Sequence, residues 1–290
     1  MYRSRSQPGQ AKSSQGFTLA ELVVVLTLTG IVAAVASVFL IQPVEGYLAL
    51  GKRAKLVGQA ETALYKLETD IHRALPNSVR VNGGALEMLA LADGARYRDG
   101  PGAPASSNGP FTRLEFNKAD QEFNLLGNFV SLPNGSYPNY YISIYNTGQP
   151  GADAYSAAGS TGVLAGPGFS VSTDVASESH ITLNSAYQFS YQSPNKRLYV
   201  VSQAVGYLCS SGTVTRYNGY NFRDGMAPSQ ARFTDGNTGA GLLVDNVSSC
   251  QFSYSAGTAT RGGVVTIALG LTSGGETVTL LHQVHVENAP

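Results

Sequence analysis

An uncharged, mostly apolar run from Leu22 to Val44 is the feature that most constrains this chain. A helix needs roughly 20 such residues to cross the hydrocarbon core of a bilayer, and the run is slightly longer than that. No other stretch of the sequence approaches this length of apolar residues. The sequence therefore predicts either one membrane span over about residues 22–44 or an N-terminal signal that is removed on export.

Two interpretations of this segment are open. An ordinary secretory signal would use the basic leader at residues 1–12 and be cleaved after the small residues 34–36, before Ser37. That interpretation gives no role to Glu21, a carboxylate just inside the N-terminal end of the run, which is costly to carry into the membrane. A segment that is retained for assembly can give this carboxylate a purpose.

The sequence Gly16-Phe17-Thr18-Leu19-Ala20-Glu21, after a short basic leader and before the apolar run, resembles the signal of type IV pilins and pseudopilins. The resemblance implies that a prepilin peptidase removes residues 1–16 by cleaving after Gly16 and that the new N-terminal Phe17 is N-methylated. It also implies that Glu21 serves assembly, by meeting the N-terminal ammonium of a neighbouring subunit in the apolar filament core. That attraction is of the same order as the cost of insertion.

An amphipathic pattern follows the apolar run. Apolar residues recur at spacings of three and four up to Leu75, as expected of a helix with one buried face. Pro76 ends the pattern, because proline disfavours helical geometry in the preceding residue. Since no long glycine- or proline-rich linker separates the two patterns, we predict one helix over residues 17–75, with the span at about 22–44 and the amphipathic half at about 48–75.

Residues 76–290 are predicted to form a β-rich head domain. Runs of β-branched and aromatic residues predict strands at 112–116, 140–145, 197–201, 213–217, 251–254, 264–271 and 277–286. A hairpin turn is predicted at 273–276, and glycine-rich surface loops at 93–110, 146–162 and 235–241. Together with the resemblance, these patterns predict the α+β class and a pilin-like fold, in which a long helix packs on an antiparallel sheet with long loops.

Cys209 and Cys250 are the only cysteines in the sequence. In an exported domain a disulfide between them is chemically reasonable, and closing a loop of about 40 residues stabilises by roughly 4 kcal/mol in the chain-entropy model. A metal site would need further ligands, and a catalytic cysteine would need a histidine that only the fold could supply. We therefore predict a Cys209–Cys250 disulfide.

The sequence contains no recognisable catalytic, cofactor-binding or metal-binding motif. His282 and His285 lie three residues apart on a predicted strand, so their rings should point to opposite faces. The tyrosines from Tyr137 to Tyr145 are expected to pack in strands rather than form a ligand surface. Nineteen basic residues balance nineteen acidic ones, so the net charge does not indicate nucleic-acid binding. We expect a non-enzymatic protein without cofactors.

Segments 74–81, 207–220, 243–254 and 279–290 resemble the MshO family of minor pilins in mannose-sensitive haemagglutinin (MSHA) pilus biogenesis, related to J-type pseudopilins and PilW-type minor pilins. Residues 83–180 carry no assignable motif. The resemblance implies a low-copy, single-pass protein of the bacterial inner membrane with a periplasmic head. It implies that the protein enters the extracellular pilus, helps to prime assembly and lies near the filament tip.

The expected partners are prepilin peptidase, other minor and major pilins, the inner-membrane assembly platform and the membrane itself. The positive charges on the two sides of the span are balanced, so the orientation rests on the resemblance. The alternatives are a minor pseudopilin of a type II secretion system and, in a different class, a membrane-anchored or secreted carbohydrate-binding or hydrolytic domain.

Overall fold

The computed structural model describes residues 16–100, 112–174, 177–235, 239–257 and 262–286, with the backbone alone at residues 40–42. The chain divides into two compact units, Met1–Lys52 and Arg53–Pro290. Helix α1 (Leu19–His72) contributes residues to both units, and the sheets belong to the second. This is the α+β organisation that the sequence predicts.

In the first unit, the apolar part of α1 is exposed on all its faces. Every large apolar side chain from Leu22 to Phe39 is at least half exposed, from 50% at Val23 to 75% at Phe39. The hydroxyls of Thr27, Thr29 and Ser37 donate to main-chain carbonyls of the preceding turn, which satisfies them without water. Among the described residues, α1 is the one helix long and apolar enough to span a membrane.

Within the described residues, the second unit forms three sheets. The large sheet has the order β1-β2-β10-β11-β12, with β5 paired to β10 and β7 to β5. Its strands are β1 (Arg80–Asn82), β2 (Ala85–Arg96), β5 (Tyr141–Ser143), β7 (Leu164–Ala165), β10 (Arg197–Ser210), β11 (Thr213–Asn218) and β12 (Gly239–Val244). The C-terminal sheet is β13 (Val247–Ser255), β14 (Gly263–Ser273) and β15 (Glu276–Val286). Both sheets are antiparallel throughout.

The third sheet, which we term the insert sheet, belongs to an excursion from the large sheet. Its strands are β3 (Asp120–Asn124), β4 (Gly135–Tyr137), β6 (Thr161–Gly162), β8 (Phe169–Thr173) and β9 (Ser179–Phe189), with β6 parallel to β9. Arg96 of β2 pairs with Arg197 of β10, and all five strands of the insert sheet lie in the sequence between these two residues. The same stretch also supplies β5 and β7 to the large sheet. A separate apolar core, which includes Phe123 and Phe189, lies against the insert sheet. We term this sheet and its core the insert lobe. Much of the described part of residues 83–180, the segment without an assignable motif, therefore lies in this lobe.

The second part of α1 packs over the large and C-terminal sheets. Its buried stripe consists of Leu56, Ala60, Ala63, Leu64, Leu67 and Ile71. The same core contains Met88 from β2, Tyr207 from β10 and Ile267 from β14. The helix thus shares a core with both sheets, which confirms the predicted packing of a helix on antiparallel sheet.

The helix ends earlier than the predicted Leu75. Its last residue is His72, and the next residues bond to strand β2 instead. The amide of Leu75 donates to the Leu89 carbonyl at 2.8 Å, and the amide of Leu91 donates to the Arg73 carbonyl at 2.9 Å. The chain therefore leaves the helix after His72 to bond to β2, and the helix ends before it reaches Pro76.

Six of the seven predicted strands coincide with observed ones, and the prediction at 112–116 is wrong. That segment bonds to two different partners, because Leu114 donates to Arg98 and Thr112 accepts from Asn124, so no regular ladder forms. The predicted turn is confirmed: Ser273 pairs with Glu276, and both glycines between them have positive φ. Among the described residues, nine further strands were not predicted: β1, β2, β3, β4, β6, β7, β8, β9 and β12. Of the predicted loops, residues 101–110 and 236–238 lie outside the described residues.

Candidate assembly site at the helix N-terminus

Glu21 is the third residue of α1 and takes part in a reciprocal cap with Thr18. The Thr18 amide and hydroxyl both donate to Glu21 Oε2 at 3.0 Å, and the Glu21 amide donates to Thr18 Oγ1 at 3.3 Å. This is a capping box, which satisfies amides that have no partner within the helix. The Thr-x-x-Glu spacing at 18–21 is visible in the sequence, but only an intermolecular role was predicted for Glu21.

The cap leaves part of the Glu21 carboxylate available. Both hydrogen bonds that it accepts go to Oε2, and among the described residues Oε1 accepts none. A carboxylate can accept about four hydrogen bonds in all. Glu21 can therefore hold the first turn of its own helix and still accept a hydrogen bond from a cation on another molecule.

Gly16 and Phe17, the two residues at the predicted cleavage point, are both open to solvent. Phe17 is 84% exposed, and a Cβ placed on Gly16 would meet no atom within 4 Å. Helix α1 begins two residues after Phe17, so the Gly16–Phe17 bond lies in non-helical backbone. A peptidase can reach such a bond, while cleavage and N-methylation at this point stay predictions.

In the head, the two cysteines join two sheets. Cys209 of β10 and Cys250 of β13 form a disulfide with their Cα atoms 6.0 Å apart. The structure thus contains the disulfide expected from the sequence. It ties the large sheet to the C-terminal sheet beneath α1.

A buried carboxylate fixes the head part of α1 to the large sheet. Asp70 Oδ2 accepts from the Tyr207 hydroxyl at 2.6 Å and from Arg216 Nε at 2.7 Å, and Oδ1 accepts from Lys66 at 3.0 Å. Burial alone would raise the pKa of Asp70, but these hydrogen bonds outweigh it and hold the pKa below its ordinary value. Of these partners, only Lys66 is near Asp70 in the sequence, four residues earlier on α1, whereas Tyr207 and Arg216 lie on β10 and β11 and have no local sequence signal.

The histidines and tyrosines behave as ordinary structural residues. His282 lies near Glu68 of α1, with Nε2 3.2 Å from Oε2, whereas His285 is exposed on the other face of β15. Tyr137 stacks on Phe169 with ring centroids 5.4 Å apart, as expected for packing in a sheet. Among the described residues, no group of three or more His, Cys, Asp or Glu side chains is arranged to hold a metal ion.

The comparisons with known proteins bear on the N-terminal region. A family model described as the prokaryotic N-terminal methylation motif matches residues 11–37, which include the predicted cleavage point, the capping box and the first part of α1. The match indicates a type IV pilin-like or pseudopilin protein, and it implies processing by prepilin peptidase and assembly with other pilins. No curated protein and no solved structure matches the chain.

Proposed function

We propose that this pilin-like protein is a minor pilin of an MSHA-type type IV pilus, which helps to prime pilus assembly and lies near the filament tip. It is a non-enzymatic, low-copy subunit. Before assembly it is held in the inner membrane by α1 with its head in the periplasm. Its partners are prepilin peptidase, other minor and major pilins, and the assembly platform of the inner membrane.

One observation carries this proposal: the apolar part of α1 is exposed on every face and begins within a methylation motif. A soluble protein rarely leaves so much contiguous apolar surface in water. Lipid tails can cover it in the membrane, and the helices of neighbouring subunits can cover it in a filament. A segment that is cut off and degraded would have no need of the Glu21 carboxylate at its N-terminal end.

The first test is the N-terminus of the mature protein. We expect mass spectrometry of protein purified from membranes to identify a chain that begins at N-methylated Phe17. Replacing Gly16 with a bulky residue, as in Gly16→Leu, should leave the precursor uncut in the membrane. A mature chain that begins at Ser37 would contradict the pilin interpretation and support the secretory signal.

The second test separates a pilus from a secretion system, because both use the same N-terminal motif. Deleting the gene should reduce the number of surface pili while protein secretion into the medium is unchanged, and the protein should co-purify with sheared pili. A loss of secretion with normal piliation would instead assign the protein to a type II secretion pseudopilus.

A further inference from the structure

The part of α1 in the head lies between two sheet edges, β12 of the large sheet and β15 of the C-terminal sheet. The β15 edge is held by the helix, since Glu276 pairs with Arg53 and His282 lies beside Glu68. Burial alternates residue by residue over most of β15, as in a strand with one covered face. One face of β15 is therefore covered by α1, and two of its side chains are tied to the helix.

The β12 edge, in contrast, is open. Within the described part of the chain, β12 pairs with β11 and with no other strand. Its first four residues, Gly239 to Leu242, are all exposed, so neither face is covered there, and Leu242 is 64% exposed. The strand contains no charge and no proline, the residues that usually prevent an edge from pairing with another chain.

A groove separates this open edge from the side of α1. It consists of two adjoining cavities of about 480 and 360 Å³ that share Leu242 and Leu243. Its helix wall is formed by Lys55, Gly58, Gln59, Thr62 and Lys66. The cavity at Lys66 reaches Gly239 and the cavity at Lys55 reaches Asp245, so β12 runs opposite in direction to α1.

We propose that this groove receives an extended, acidic segment of a neighbouring, non-identical pilin-like subunit, which adds to the large sheet as a strand beside β12. The inference rests on the proposed function, because the partner is taken to be another subunit of the same assembly. Strand addition to an exposed sheet edge is a general mode of peptide recognition, in which main-chain hydrogen bonds supply the affinity.

The groove's charge defines the side chains that the partner strand should carry. Lys55 forms no ion pair among the described residues, and Lys66 pairs with Asp70, which also neutralises Arg216. The one acidic residue lining the groove, Asp245, lies at the Lys55 end. Lys55 and Lys66 on the helix wall favour a carboxylate on the incoming segment. The main-chain hydrogen bonds at the β12 edge do not depend on the partner's side chains.

A second copy of this chain fits the groove poorly. Two copies that joined their β12 edges in the antiparallel arrangement would be related by a twofold axis perpendicular to the strands. Because β12 runs along α1, the two helices would then point in opposite directions, with Arg53 at opposite ends of the pair. The β12 strand of a second copy would also bring no carboxylate to Lys55 and Lys66, because Gly239–Val244 carries no charge.

The experiment places a photo-crosslinking amino acid at Leu242 in the full-length protein in its native cells. Leu281, which is 69% exposed on the outer face of the C-terminal sheet, gives a matched control position. We expect Leu242 to yield an adduct with a different pilin-like subunit, mapped to an extended acidic segment, and Leu281 to yield much less. No enrichment at Leu242 over Leu281, or an adduct with a second copy or with a non-pilin protein, would overturn the inference.

A variant that fills the groove provides an independent readout. A Cβ at Gly58 would meet no atom within 4 Å, so Gly58→Leu should fold while its side chain occupies the groove. We expect it to lower the Leu242 adduct by about tenfold. Glu61→Leu, at an exposed position of α1 that does not line the groove, should leave the yield unchanged. Equal yields from the two variants would contradict docking in the groove.

The same cells distinguish this inference from the proposed function. If the protein is present in sheared pili and Leu242 gives no specific adduct, the inference fails while the function stands. If Leu242 crosslinks to a pilin-like subunit but the protein is absent from pili, the inference stands and the proposal that the protein is a pilus subunit fails.

Discussion

The two parts of α1 share one helix and have opposite surroundings. In the first unit, Leu26 is 63% exposed and its large apolar neighbours are exposed on every face. In the second, Leu67 is 1% exposed and belongs to a stripe that packs on two sheets. The first part therefore depends on molecules outside the chain for its burial, and the second depends on the fold of the head.

This difference separates assembly from stability. Substitutions in the apolar part should change how the protein associates with membranes and other subunits without changing the unfolding of the head. Substitutions in the buried stripe or in the sheets beneath it should have the reverse effect. Each of the following predictions tests that separation.

The largest expected effect comes from the disulfide, which lies wholly in the head. The Cys209→Ser/Cys250→Ser double variant should lower the free energy of unfolding of the head by about 4 kcal/mol, because the unfolded chain loses a constraint on a long loop. Denaturant unfolding of the detergent-solubilised protein measures this effect. Extraction of the protein from membranes should be unchanged, and a variant that is lost from the membrane while its head stays equally stable would contradict the separation.

A matched pair of leucines compares the two parts of α1 directly. Leu67→Ala should cost the head about 3 kcal/mol, because it removes buried contacts and leaves a cavity. Leu26→Ala, the same change at an exposed position, should alter the unfolding free energy by less than about 0.5 kcal/mol. The same denaturation experiment measures both, and equal losses from the two variants would show that the apolar part is buried against the head.

Asp70 tests how the head part of the helix is anchored. Asp70→Asn should lower the free energy of unfolding by about 2 kcal/mol at neutral pH, since Arg216 and Lys66 lose a charged acceptor. Because the pKa of Asp70 is lowered in the fold, its ionised form stabilises the head above about pH 4, the unfolded pKa.

That contribution of Asp70 should be lost as the pH falls from about 4 through the lower folded pKa. The difference in stability between wild type and Asp70→Asn should therefore narrow over this acid range. Unfolding curves at a series of pH values measure it, and a difference that is the same at every pH would exclude the charge as its cause.

The smallest expected effect concerns Glu21, whose capping and assembly roles can be separated. Glu21→Gln keeps an oxygen that can accept from Thr18 but removes the charge, whereas Thr18→Val removes the cap and keeps the charge. If the charge pairs with a neighbouring subunit, Glu21→Gln should lower recovery in sheared pili by about tenfold and Thr18→Val by less. Both variants should be compared at equal abundance in the membrane. A larger loss with Thr18→Val would assign Glu21 to capping alone.

Local patterns in the sequence were sufficient for several features of the molecule. The two-glycine turn at 274–275 and the alternation along β15 depend on residues close together in the chain. The capping box at residues 18–21 is equally local, although the sequence-based prediction did not identify it. Such features follow from backbone geometry and side-chain spacing, which do not need the rest of the fold. The strands of the insert lobe were missed because some are only two or three residues long and others are interrupted by polar residues, mostly Ser, which weakens the local signal for a strand.

The sequence by itself determined that one segment is too apolar to remain in water and that a carboxylate stands at its N-terminal end. Only the tertiary structure decided where the head part of α1 ends and that Tyr207 and Arg216 surround Asp70. It also decided that one face of β15 is covered by α1 while the first four residues of β12 are exposed. These outcomes depend on pairings between residues far apart in sequence, such as Asp70 with Tyr207 and Leu75 with Leu89. Hydrogen bonds and packing of that kind depend on how the whole chain is arranged, and no local pattern encodes that arrangement.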